Sequence, residues 1–323
     1  MVQPIEGLVV SIPVLVDAQC MKRQPPSAQQ RLLELCPEIE TKGKDGSASR
    51  RVADLPRFLS ELLELTPDLF DSGDTLPEEL SLYVPEGKQV LRPTMALRKM
   101  TPEEDAPSDT PATKAGSKYV MLLWELPDGL PFDKAETVTG PWDYPPAAKF
   151  DRLLRNCRVP IGLLTNRRLF RLFYAPHGES TGTITFPIDD MATVGGRPIL
   201  DAFLMLLSAT RFFGVASEHQ LPSLLEESRK RQANVTNELA EQVFEALAIL
   251  LDGFQAAAER DGWEHLNEAL EREEDHLYGG LLTVLLRLVF LLYAEDRDLL
   301  NAHCSRSHAP LRYCYDLSKS AQC

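Results

Sequence analysis

Apolar and polar positions alternate in two different styles along this chain, and the change falls near residue 196. Before it the apolar runs are short and interrupted by Pro and Gly. "AQQRLLELC" and "LPRFLSELLEL" place apolar residues three and four positions apart, the spacing of one helix face. "ELSLYVP" and "KYVMLLWEL" are compact, β-rich runs that read as strands. The opening "GLVVSIPVLV" reads as a buried strand as well. Residues 99–118, rich in Pro and Thr and without apolar period, read as a solvated loop. A Pro-rich connection then leads to "GPWDYPP", a helix at 147–157 and two β-rich runs, Val159 to Leu164 and Leu169 to Tyr174. The polar break Thr165-Asn166-Arg167-Arg168 makes those runs a hairpin, with Asn166 suited to a turn position of positive φ and Arg167 and Arg168 at the tip. "GTITFPI" follows as a short strand.

After Gly195-Gly196 the pattern is helical. "PILDAFLMLLSATRFF", the stretch 223–260 and "LYGGLLTVLLRLVFLLYAEDRDLL" all carry helical spacing. The expected organisation is an α/β (α+β) domain over 1–196, an all-helical domain over 197–300, and an atypical, disordered tail over 301–323. The run 281–293 holds Arg287 at its centre and is shorter than the roughly 20 residues that span a bilayer, so it reads as a core helix. The apolar start follows Glu6, lacks a basic leader and contains Ser11 and Pro13, unlike a signal peptide. A cytoplasmic protein with no membrane partner is the expectation.

Composition and charge narrow the chemistry. With 323 residues and 44% hydrophobic content the chain can bury a sizeable core. Its six cysteines show neither metal-ligand spacing nor a disulfide framework, which suits reduced thiols, one of them on an apolar helix face. The formal charge of −14 excludes a surface uniformly attractive to nucleic acid, and residues 217–300 hold 18 acids against 7 bases. The basic excess is local. Between Lys149 and Arg171 stand seven basic residues and a single acid, Asp151; the next, Glu179, lies beyond the hairpin. Lys149, Arg152 and Arg155 follow one another at three-residue steps along one side of the expected helix. With no local acid to pair with, Lys149, Arg152, Arg155, Arg167 and Arg168 are the candidate DNA-phosphate contacts, and Arg171 lies mid-strand opposite Phe170 and Leu172.

The stretch "VPIGLLTNRRLFRLFYAPHGESTGTITFPIDDMATVGGRPILDAFLMLLS", with "LPSLLEESRKRQANVTNELAEQVFEAL" and "LYGGLLTVLLRLVFLLYAEDRDLL", resembles the amino-terminal region of bacterial type IIG restriction-modification enzymes and phage-defence adenine DNA methyltransferases. The resemblance runs from about Gly7 to Leu300. It implies a restriction-nuclease-like α/β domain, a helical connector and then an adenine-N6 methyltransferase domain that uses S-adenosylmethionine, with Mg²⁺ in any nuclease step. It also implies DNA as a partner. The family usually has Asn-Gly at the hairpin turn, where this chain has Asn166-Arg167.

These 323 residues contain no Asn-Pro-Pro-Tyr tetrapeptide to hold a flipped adenine and no Gly-rich cofactor turn. The chain is therefore expected not to bind a cofactor or methylate DNA alone. A nuclease of the resembling kind needs a carboxylate at one strand start and an acid-x-lysine on the next. Pro67-Asp68 and Pro127-Asp128 match the first part, but Glu125 is followed two positions on by Pro127. Glu40-Thr41-Lys42 spells the second part in a polar stretch that reads as a charged loop. Trp142 and Tyr144, among prolines, are candidates either for base stacking or for packing on their own domain. Two functions stay open: the DNA-engaging front of a restriction-modification enzyme, with a separate methyltransferase polypeptide as partner if the enzyme is split, or a non-enzymatic protein-interaction module.

Overall fold

The structure, a computed structural model, describes residues 7, 10–40, 48–100, 110–135, 144–263 and 276–296. The chain divides into two compact units, Met1–Ala233 and Asn234–Cys323. The protein is mixed α/β with a helical C-terminal region.

The first unit is built on a six-stranded sheet. Its strands are β3 (Phe70–Ser72), β6 (Met95–Arg98), β7 (Tyr119–Glu125), β8 (Ile161–Thr165), β9 (Leu169–Tyr174) and β10 (Gly182–Pro187), in the order β10-β9-β8-β7-β6-β3. Two small ladders stand outside it: β1 (Glu38–Glu40) with β2 (Ala48–Arg50), and β4 (Leu82–Val84) with β5 (Gln89–Leu91). Within the sheet β7 and β8 pair in parallel and all other neighbours are antiparallel. A parallel pair needs a crossover, and helix α5 (Pro146–Cys157) supplies it.

Both faces of the sheet are covered, which is why β8 reads as an unbroken apolar run with every residue buried. On one face Leu123, Leu163, Phe170 and Leu172 meet Phe58 of α3 (Leu55–Leu63) and Phe203 of α7 (Arg197–Leu207). Phe58 stacks on Phe170 at 5.0 Å, and Phe203 meets Phe170 at 5.4 Å and Phe186 at 5.3 Å. On the other face Leu122, Leu164 and Phe173 meet Phe150, Leu153 and Leu154 of α5. Gly162 permits that approach, since a Cβ there would lie 2.7 Å from the side chains of Leu154 and Phe150. Helix α3 starts at Asp54, whose carboxylate accepts from the Arg57 N–H, and stops at Glu64 in left-handed conformation.

Four expectations change. The compact division falls after Ala233, not at 196, because α7, α8 (Ala209–Phe213) and the start of α9 (Leu221–Asp261) bury Leu200, Phe203, Phe212, Leu221 and Leu225 in the same core as the sheet. In the expected opening strand, Ile12–Asp17 is a helix, α1, with Pro13 in its first turn; residues 8 and 9 lie outside the described residues. In the expected loop 99–118, Pro111–Gly116 is helix α4 (α2 being Pro26–Leu35), capped by the Thr110 and Thr113 hydroxyls. The tail 301–323 lies outside the described residues.

The fourth concerns the expected core helix at 281–293. It belongs to α10 (His276–Asp296), and most of its apolar side chains are exposed: Leu286, Phe290 and Leu292 at 60%, 65% and 60%. Tyr278–Glu295 has a mean hydropathy of 1.5, the one window among the described residues long and apolar enough to cross a membrane by length and composition alone. Soluble core helices pass the same test.

Candidate nucleic-acid interface

The five candidate phosphate contacts lie on α5 and on the β8–β9 turn. On α5, Lys149 stands four residues before Leu153 and eight before Cys157, so it shares their inward face. It is 2% exposed, and its ammonium donates to Gln89 Oε1 at 3.2 Å across to the β4–β5 ladder. Lys149 is therefore not on the outward side on which the three-residue spacing had placed it. Arg152, on the outward side, lies 3.6 Å from the carboxylate of Glu86. Arg155 makes four hydrogen bonds: its Nε donates to both Asp151 oxygens, at 3.3 and 3.0 Å, and its Nη2 to Glu179 O at 2.9 Å and Thr181 Oγ1 at 2.7 Å.

The turn is organised by Asn166. Its side chain is buried; Oδ1 accepts from the N–H groups of Arg168 (3.1 Å) and Leu169 (2.8 Å), and Nδ2 donates to Leu130 O (2.8 Å). The positive φ expected at Asn166 falls on Arg167 instead, at 67°. That is the position where the resembling family usually has Gly. Apart from achiral Gly and, less often, Asn or Asp, residues seldom adopt this conformation, and interactions outside the turn hold it here. Arg167 Nε donates to Glu125 Oε1 at 2.5 Å, and its backbone oxygen accepts from Val52 N at 2.8 Å.

Arg168 makes a two-pronged bond to Asp128, both contacts at 3.0 Å, and Arg51 approaches the same carboxylate at 3.4 Å. The Arg168 guanidinium, and secondarily Arg51, hold the Asp128 carboxyl below its ordinary range, and the Arg168 pKa rises in turn. Arg171 is 8% exposed. It grips Asp133 with two nitrogens, at 2.5 and 2.8 Å, donates to Thr185 Oγ1 at 2.8 Å and lies 5.2 Å over the Phe132 ring. It does stand opposite Phe170 and Leu172, which face the other core.

The hairpin arginines are therefore partnered, contrary to the expectation from local sequence. Their acids, Glu125, Asp128 and Asp133, come from the end of β7 and the connection after it. Backbone bonds fasten the same connection: Leu126 N to Thr165 O at 2.7 Å and Gly129 N to Asn166 O at 3.2 Å. Five of the seven cations between residues 149 and 171, Arg152, Arg155, Arg167, Arg168 and Arg171, are thus matched by five carboxylates, Glu86, Asp151, Glu125, Asp128 and Asp133, and most of the local excess of positive charge is neutralised. Parallel neighbours end at the same edge of a sheet, so two β-rich runs joined by a helix were the signal that could have brought Glu125 and Asp128 to the turn.

No family model, curated protein or solved structure matches this chain.

Of the candidate nuclease residues, Glu125 and Asp128 both meet the hairpin arginines, and Asp68 lies in the single turn Pro67–Leu69 just before β3. Asp71 of β3 accepts from Tyr119 Oη at 2.6 Å and from Arg98 at 3.0 Å. Its neighbour β6, Met-Ala-Leu-Arg, holds no acid-x-lysine. Glu40 closes strand β1 rather than sitting in a loop, but outside the main sheet; Thr41 and Lys42 lie outside the described residues. Among the described residues no group of three His, Cys, Asp or Glu is placed to hold a metal ion. Of the aromatic pair, Tyr144 is exposed and Trp142 lies outside the described residues.

Proposed function

We propose that this chain is a non-methylating component of a restriction-modification-type adenine methyltransferase assembly, and that its helices beyond Ala233 dock on the protein region carrying the methyltransferase chemistry. In this reading the first unit is a nuclease-like domain in which no metal-holding group stands among the described residues. The observation that supports docking is α10, where Val284, Leu286, Val289, Phe290, Leu291 and Leu292 are exposed. Apolar surface of that extent in a polar setting marks a contact with other protein. The resemblance over Gly7–Leu300 supports the family reading, and a mixed α/β first unit followed by helices is compatible with it.

The test supplies the methyltransferase-bearing polypeptide in trans and reads complex formation by native mass spectrometry. A stoichiometric complex is expected, lost in Leu286→Glu/Phe290→Glu. Absence of a complex, or insertion of α10 into neutral lipid vesicles, overturns the reading. A second measurement addresses DNA. Because Arg167 and Arg168 are both ion-paired, their double alanine variant is expected to leave any affinity for a DNA duplex unchanged. A variant that loses affinity, with a salt slope lower by roughly 0.9 per lost contact, would restore the DNA-phosphate assignment.

A further inference from the structure

Helix α9 continues beyond Ala233 with a composition unlike the rest of the chain. Between residues 234 and 261 it has six acids and one base, Arg260. Glu238, Glu245, Asp252 and Glu259 stand seven residues apart, with Glu241 three after the first. Seven residues are close to two helical turns, so these carboxylates form one nearly straight stripe. All five are exposed, and among the described residues none has an ion pair.

The stripe has apolar borders. Phe244, three residues after Glu241, lies on one side; Ile249, four after Glu245, and Val235, three before Glu238, lie on the other. These side chains are 71%, 65% and 62% exposed. A solvated polar face would not need large apolar residues standing in water along both of its margins.

Resting on the docking reading above, we propose that this face of α9 receives a basic amphipathic helix of the partner, with Lys or Arg at seven-residue intervals against the carboxylates and apolar residues against Val235, Phe244 and Ile249. Charge complementarity selects that occupant. A second copy of this chain would bring another acidic stripe, and a nucleic acid or an anionic membrane would bring like charge. Helices paired side by side use such flanking charges to choose partner and register.

The probe is a synthetic helix about four heptads long, with lysine at every seventh position and leucines beside it. Its twin has glutamate for lysine. Fluorescence anisotropy against the full chain is expected to show binding of the lysine peptide that weakens as salt rises, and none of the twin. Glu238→Gln/Glu245→Gln/Asp252→Asn/Glu259→Gln should weaken binding about tenfold, from four exposed pairs of modest strength each. Asp74→Asn/Glu78→Gln/Glu79→Gln, in the first unit, should keep the parent affinity, and Val235→Ser/Ile249→Ser should weaken it. Circular dichroism checks that helicity is retained. Equal binding of the two peptides, parent affinity in the stripe variant, or loss in the first-unit control overturns the proposal. If the methyltransferase complex forms and the stripe variant retains it, the stripe proposal fails while docking through α10 stands; if no complex forms, docking itself fails.

Discussion

The region before Ala233 and the helices after it treat the same two kinds of side chain in opposite ways. In the first, Phe58, Phe170 and Phe203 are inside and the hairpin arginines are matched by carboxylates. In the second, Phe244, Leu286 and Phe290 are outside and a row of carboxylates has no basic partner among the described residues. Apolar burial is the dominant favourable term in folding. The first region supplies it from its own residues, whereas the described helices of the second leave much of their apolar surface in solvent.

The largest expected effect tests that contrast directly. Phe203→Ala should destabilise the first unit by about 3–5 kcal/mol, while Phe290→Ala should cost about 0.5 kcal/mol or less. Urea unfolding of the isolated chain checks both, and a similar cost for the two would erase the contrast. Next come the charges. Arg171→Ala removes a nearly buried guanidinium with partners on Asp133 and Thr185, for about 1.5–3 kcal/mol; Arg167→Ala and Arg168→Ala, at half-exposed pairs, should each cost about 1 kcal/mol or less. Equal costs at all three positions would mean that burial does not grade the brace.

A smaller effect appears with pH. The Asp128 carboxyl is held below its ordinary value near 3.8 in the folded protein, so its contribution is present above that value and is lost as pH falls through the lowered folded pKa. The stability difference between parent and Asp128→Asn should therefore be constant near neutrality and vanish once acidification passes the lowered folded pKa. A difference that grows on acidification would reverse the sign. Smallest in energy is the thiol chemistry. Burial pushes Cys36 up to about 12 and Cys157 up to about 11, so neither should react with iodoacetamide at pH 8 until the first unit unfolds. Rapid native labelling of either would show that the first unit opens locally.

Much of the first unit was legible from periodicity: α2, α3, β7, α5 and the β8–β9 hairpin lie where the apolar spacing puts them. The candidate site was not, and the reason is range. Counting acids between residues 149 and 171 could not find Glu125, Asp128 and Asp133, which are 42, 40 and 38 residues away from their arginines. Lys149 misled for a second reason: three-residue steps place it beside Arg152, but its four-residue step to Leu153 decides which way it faces. For α10 the sequence shows apolarity and not what covers it, so a core helix and an exposed one give the same pattern.

The parallel pairing of β7 with β8 also orders events in time. Strands β8, β9 and β10 follow one another through short turns, but β7 meets β8 only after residues 126–160 have looped back. Closing that long loop costs chain entropy before its contacts repay it, so the three-strand meander should assemble early and the β7–β8 junction late. The pairs Arg167–Glu125, Arg168–Asp128 and Arg171–Asp133 all bridge that junction. Weakening them should leave the refolding limb of a chevron plot nearly unchanged and raise the unfolding limb, so the hairpin arginines set how long the native state lasts rather than how fast it forms.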